Sequence, residues 1–123
     1  MRKPVVWVVK EQMRRDDNGS VPMDYSPAYR YGEVRFITQF DLPVTRNSSI
    51  AQNWYKDVIK FCQEYDSGQD YLVLTGHTLA IFMIGCIFSQ TNKPPRVLVW
   101  RRELGEYVPF DPVFDANLLG EVV

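Results

Sequence analysis

The chain is poor in the residues from which most catalytic and metal centres are built. It has one histidine, His77, and two cysteines, Cys62 and Cys86, in 123 residues. A single imidazole excludes a multi-histidine metal centre, and the cysteines form no Cys-x-x-Cys pair. They read as small buried hydrophobes on helix faces. No Gly-x-Gly-x-x-Gly and no Walker loop is present. No Ser-His-Asp or Cys-His set is evident, and a carboxylate-only metal site has no support. Neither sign of charge dominates: 14 basic against 15 acidic residues leave a net −1. No global positive field therefore exists to hold a long duplex nucleic acid. Long apolar runs are missing too. The longest, Leu79–Phe88, falls well short of the ~20 residues that span a bilayer. The apolar stretch near the N-terminus is shorter than the ~7–15 residues of a signal-peptide core. A soluble cytosolic protein is expected, without metal or cofactor.

What is present is globular in kind. Apolar residues make up 46% and aromatics 14%, enough to give a small domain a core. One α/β domain is expected over residues 1–112, with a tail over 113–123. Pro4–Val9 is β-branched and aromatic, which suits a central strand covered on both faces; it can run on through Met13. Arg14–Gly32 shows no period and reads as a long loop around an Asn18-Gly19 turn. Glu33–Phe40 alternates and reads as a half-exposed strand antiparallel to the first. Ser49 and Gln52 have capping-box spacing, and Ile50, Trp54, Val58, Phe61, Cys62 and Tyr65 follow at helical intervals. Gly68 is the expected stop.

Tyr71–Thr75 reads as a strand and Leu79–Gln90 as a helix that is apolar all round. Such a helix is buried or forms an oligomer interface, and a homo-oligomer is expected. Lys93-Pro94-Pro95 ends it. Arg96–Arg101 reads as a buried strand and Arg102–Gly105 as a hairpin turn. Glu106–Phe110 returns as a strand that Pro109 keeps near an edge. The order is β-β-α-β-α-β-β, with right-handed crossovers: a small Rossmann-like mixed sheet with two flanking helices.

Chemistry is expected first at Thr75-Gly76-His77-Thr78, where a strand meets a helix start. Unpaired N–H groups there attract anions, and ligands collect at the carboxyl edge of open α/β sheets. His77 can donate to a phosphate or act as an acid–base; equally it can simply cap the helix. Thr78 has the same two readings. Arg101 and Arg102 end the next strand. One of them should grip the same ligand, unless both pair with Glu103 or Glu106. Trp100 and Tyr107 can stack on a base, though Trp100 fits core packing better. Arg14, Arg15, Arg30, Tyr25, Tyr29 and Tyr31 offer either a nucleotide clamp or a solvated loop held down by tyrosines. Asp16 and Asp17 read as turn formers.

Residues 71–110 resemble the second half of a CRISPR-associated ring-nuclease family. The shared pattern is Leu72-Val-Leu-Thr-Gly76, the apolar helix, Pro94-Pro95, Val97-Leu-Val-Trp100 and Leu104-Gly105. That family degrades cyclic oligoadenylates with manganese. Its helix histidine and post-strand aspartate have no counterpart here, so the resemblance implies cyclic-nucleotide binding at a dimer interface rather than metal-dependent cleavage. The leading expectation is thus a nucleotide or small oligonucleotide ligand near Gly76 and His77, sensed, sequestered or slowly cleaved. If it is cleaved, His77 serves a metal-independent phosphodiesterase. The alternative is a protein–protein module, such as a phage or mobile-element inhibitor of a host enzyme.

Overall fold

A computed structural model describes residues 2–42 and 49–110, apart from the side chains of Ser49 and Ile50. The elements are β1 (Val5–Val8), β2 (Met13–Asp16), β3 (Gly19–Pro22), a 3₁₀ turn (Ser26–Ala28), β4 (Glu33–Phe36), α1 (Ser49–Glu64), β5 (Tyr71–Val73), α2 (Thr78–Phe88), a second 3₁₀ turn (Ser89–Thr91), β6 (Val97–Arg101) and β7 (Glu106–Phe110). Five strands form one sheet in the order β4-β1-β5-β6-β7, and β2 pairs with β3 as a separate ribbon. β4, β1, β5 and β6 are parallel neighbours, and β7 is antiparallel to β6. The described residues are therefore mixed α/β with two α-helices, as expected. The strand order has two members more than β-β-α-β-α-β-β supplies.

β1 is the axis of the fold. Its residues are all buried because both faces are covered. Val5, Trp7 and Val9 pack with Trp54, Val58 and Phe61 of α1 and with Ala80, Ile84 and Phe88 of α2. Val6 and Val8 face the other way, onto Tyr25, Ala28, Val73, Leu98 and Tyr107. Both helices thus lie on one side, and the chain between β1 and β4 covers the other.

That placement corrects three expectations. The first strand does not run on to Met13; it stops, and Met13 opens the β2–β3 ribbon. Arg14–Gly32 is not a bare loop, since a two-residue turn at Asp17-Asn18, one position before the expected Asn18-Gly19, closes that ribbon, and Gly19 opens β3 at φ 107°. Glu33–Phe36 is parallel, not antiparallel, to β1. The physical reason is the return path. The 3₁₀ turn carries the chain back across the second face to the amino edge of β1. There the Glu33 N–H donates to Pro4 O at 2.9 Å. Gly32 makes that approach, where a Cβ would stand 2.6 Å from Pro4 O.

α1 ends at Glu64, before Gly68. Its terminus is held by distant cations instead of a glycine. Lys93 Nζ donates to the carbonyls of Cys62 (2.7 Å) and Tyr65 (2.8 Å), and an Arg2 guanidinium nitrogen donates to Glu64 O at 2.9 Å. The capping box at Ser49 lies outside the described side chains. α2 starts at Thr78 and ends at Phe88, where a 3₁₀ turn takes over from the expected run to Gln90. It is not wholly buried: Leu79, Phe82 and Cys86 are exposed, so Cys86 departs from expectation while Cys62 meets it. β6 departs as well. Only Leu98 in it is buried, and Trp100 is 47% exposed rather than in the core. The Arg102–Gly105 turn is formed as expected, with Gly105 at φ 62°, and Pro109 sits on the edge strand β7. Residues 111–123, which include the expected tail over 113–123, lie outside the described ones.

Candidate functional site

Among the cavities formed by the described residues, two at the carboxyl edge of the parallel strands bear on the expected site, one on each face. The first lies between the ends of β1 and β5, whose continuations leave in opposite directions across the sheet. This is the crevice where open α/β sheets collect ligands. It encloses about 280 Å³ and includes Lys10, Gln12, Thr38, Asp41, Gly76 and His77 in its lining. Gly76 has φ 119°, and a Cβ there would meet Gln12 Nε2 at 3.0 Å. His77 is the N-cap of α2: its Nδ1 accepts from the Leu79 N–H at 3.2 Å. That bond requires an unprotonated Nδ1 and uses one of the amides an anion would seek. Of the two readings of His77, capping is the one its geometry displays. Lys10 Nζ lies 3.4 Å from Asp41 Oδ1, so the cavity's cation has a carboxylate beside it. Thr38 donates to Asp57 Oδ2 at 2.9 Å and accepts from the Phe40 N–H at 3.1 Å.

The second cavity is larger, about 710 Å³, and lies where β5 and β6 splay apart. The two strands pair only at Leu72↔Val97; beyond it β5 ends and β6 continues. Val73, Leu74 and Thr75 form one wall. Val97, Leu98, Val99, Trp100 and Tyr107 form the other. The ribbon and 3₁₀ region add Arg14, Met23, Asp24 and Pro27. Four of the large hydrophobics exposed to solvent meet here: Met23, Leu74, Val99 and Trp100. The Trp100 ring stands edge-on to Tyr107 with centroids 5.0 Å apart. Burial pushes the Tyr107 phenol above its ordinary range. The Asp24 carboxylate accepts from the Ser26 N–H at 2.9 Å, which holds it below the usual carboxylate range.

The structure therefore divides the expected site. Gly76 and His77 line the first cavity, while Thr75 lines the second. The Thr75 hydroxyl is buried without a hydrogen-bond partner. Thr78 is exposed at the first turn of α2. Arg101 and Arg102 are exposed and line neither cavity. Arg101 is bound to Glu103 at 2.5 Å, the surface pairing weighed against ligand binding. Of the loop tyrosines, Tyr25 is buried against Phe36, and Tyr31 is half-buried against Tyr71. The Tyr31 hydroxyl donates to Tyr107 O at 3.0 Å. Tyr29 is exposed. Among the described residues, no group of three His, Cys, Asp or Glu is arranged to hold a metal ion. No helix among them is long and apolar enough to cross a membrane.

No motif or spacing marks Met23, Leu74 or Val99 as site residues. They meet only because β5 is short and the ribbon folds back, and neither event leaves a local motif. Asp70 carries no local motif either. It is wholly buried at the amino edge, far along the strands from either cavity, and binds the Arg2 guanidinium (Nη1 at 2.9 Å). It also accepts from Trp7 Nε1 (3.1 Å) and the backbone N–H groups of Val5 (3.0 Å) and Asp66 (2.9 Å).

Residues 4–112 match a family model described as Phage Pam3 gp32-like protein. No curated protein and no solved structure matches the chain. The family match overturns the likeness to CRISPR-associated ring nucleases, and cyclic oligoadenylates and antiviral defence fall with it. The likeness rested on a strand, a Thr-Gly turn, an apolar helix and a hairpin, parts that many parallel α/β units share.

Proposed function

The chain belongs to the phage Pam3 gp32-like family, and from that premise we propose that it is a phage protein whose work is binding another protein. Inhibition of a host enzyme is one form such work takes. The single observation that supports this reading is the groove between β5 and β6. It gathers Met23, Leu74, Val99, Trp100 and Arg14 in one concave surface. Trp, Met and Arg are enriched at protein interfaces and Trp and Arg among the residues that dominate binding energy. The segment over 14–32 supplies one flank, as a partner-binding loop would.

Deleting that segment is a poor test, because Tyr25 and Ala28 belong to the core. Point variants in the groove are better. Cross-linking to the intact chain in infected cells identifies the partner, which is then purified. Trp100→Ala and Met23→Asp should each weaken its binding at least ~10-fold while melting near wild type. Equal affinity in both variants refutes the groove.

A second reading, a nucleotide-type ligand, is favoured by the position of the Gly76–His77 cavity at the strand switch point. Its size suits a phosphate or a small part of a nucleotide better than a cyclic oligonucleotide. Calorimetry with phosphate and mononucleotides reads it. Heat that disappears in Lys10→Ala supports the site, and silence across the series ends it.

A further inference from the structure

The groove has a property beyond its apolar lining: one of its walls is the backbone of a strand. β6 pairs with β7 from Val97↔Phe110 to Arg101↔Glu106. In an antiparallel ladder, pairs that exchange both backbone hydrogen bonds alternate with pairs that exchange none. Pro109 has no N–H, so Leu98↔Pro109 is a pair of the second kind. The exchanging members of β6 are then Val97, Val99 and Arg101. Leu98 and Trp100 turn their backbone groups away from β7, toward β5.

On that side β5 uses only the first of them. The Leu72 N–H donates to Arg96 O at 2.7 Å, and the Leu72↔Val97 bridge takes up the Leu98 N–H. β5 stops at Val73. The carbonyls of Leu98 and Trp100 and the N–H of Trp100 therefore face the groove instead of a neighbouring strand. A row of acceptor, donor, acceptor beside an apolar trough is a template for an added strand.

We propose that the partner inserts an extended peptide segment into the groove, where it pairs as a strand with β6 along Leu98–Arg101. This deepens the protein-binding reading and rests on it. Alternate side chains of the segment would lie against Trp100, Met23 and Leu74. Charge sets the remaining requirement. Arg14 lines the groove near enough to Asp24 to help hold that carboxylate below its usual range. It makes no direct ion pair with Asp24 or with another described residue, and Asp24 is already engaged by the Ser26 N–H, so the Arg14 donors stay open to a carboxylate from outside. The segment therefore carries a carboxylate near one end.

The probes are eight-residue peptides of alternating valine and threonine with one terminal glutamate, titrated into the full chain. Two forms carry N-methyl groups on one or the other alternate set of amides, and one has lysine for glutamate. A helix-forming amphipathic peptide completes the panel. Amide exchange at Trp100 is followed by NMR, with acrylamide quenching of the exposed Trp100 indole as a second signal.

Binding should slow exchange of the Trp100 amide at least ~10-fold. N-methylation of one set should abolish it and of the other should be tolerated, because a strand directs only alternate amides to its neighbour. Lysine should weaken binding. Peptides that shift the indole signal while the Trp100 amide exchanges as before, or that tolerate both methylated sets, overturn strand addition and leave the groove standing. So does preference for the helical peptide. Silence from every peptide overturns strand addition, whereas the groove itself answers to the purified partner and Trp100→Ala.

Discussion

Asp70 shows how one buried charge is made tolerable. Burial alone would raise its pKa, but the Arg2 guanidinium, the Asp66 and Val5 amides and the Trp7 indole together hold it below the ordinary 3.8. A depressed carboxylate stabilises the fold fully above its unfolded pKa. That contribution is lost as pH falls from 3.8 toward the lower folded value. Asp70→Asn should therefore cost roughly 3 kcal/mol at neutral pH, with the gap to wild type narrowing below pH ~4. Thermal melts of both proteins across pH 2–7 check this; parallel curves would refute it. Nothing in the Gln69-Asp70-Tyr71 sequence announced the cluster, because its partners lie 63 to 68 positions away, apart from Asp66. His77 was legible as the start of a helix and as the first residue to inspect. That it caps the helix shows only in a 3.2 Å contact that no spacing rule supplies.

At the level of elements, both helices and the main-sheet strands were legible from periodicity, since their faces pack on β1. Boundaries and directions were not. The end of α1 is fixed by Lys93, about thirty residues along the chain, rather than by a local glycine. Lys93→Met keeps the apolar stem and removes the donors. It should destabilise the protein by about 1–2 kcal/mol and speed exchange of the Tyr65 amide, which bonds to Phe61 O. Hydrogen exchange and denaturant titration read the two effects. An unchanged midpoint would mean that the lysine only decorates the helix end. The β2–β3 ribbon has no periodic signature because its residues are almost all exposed, so it has no buried face to generate a pattern. The direction of β4 depended on the route taken between strands, and residue alternation carries no information about route.

For the whole molecule, the two cysteines give a direct test of the layering. Cys62 is buried between α1 and the sheet, and burial raises its pKa, so its thiol is unreactive while the protein is folded. Cys86 lies on the outer side of α2. A thiol reagent should titrate one group in the native protein and two in denaturant; two native thiols would mean that the helix layer is wrongly placed. The apolar composition made a helix-covered sheet legible, but not the groove, which exists because two parallel strands part after a single bridge. That parting also has a mechanical meaning. β4, β1 and β5 are joined to one another over three or four positions, whereas the β6–β7 hairpin is riveted to them at one. The sheet thus has a seam. Across it the hairpin is held chiefly by the burial of Leu98 and Tyr107 and by the Tyr31 hydroxyl on Tyr107 O, and a strand seated across the seam would stitch the two halves into one.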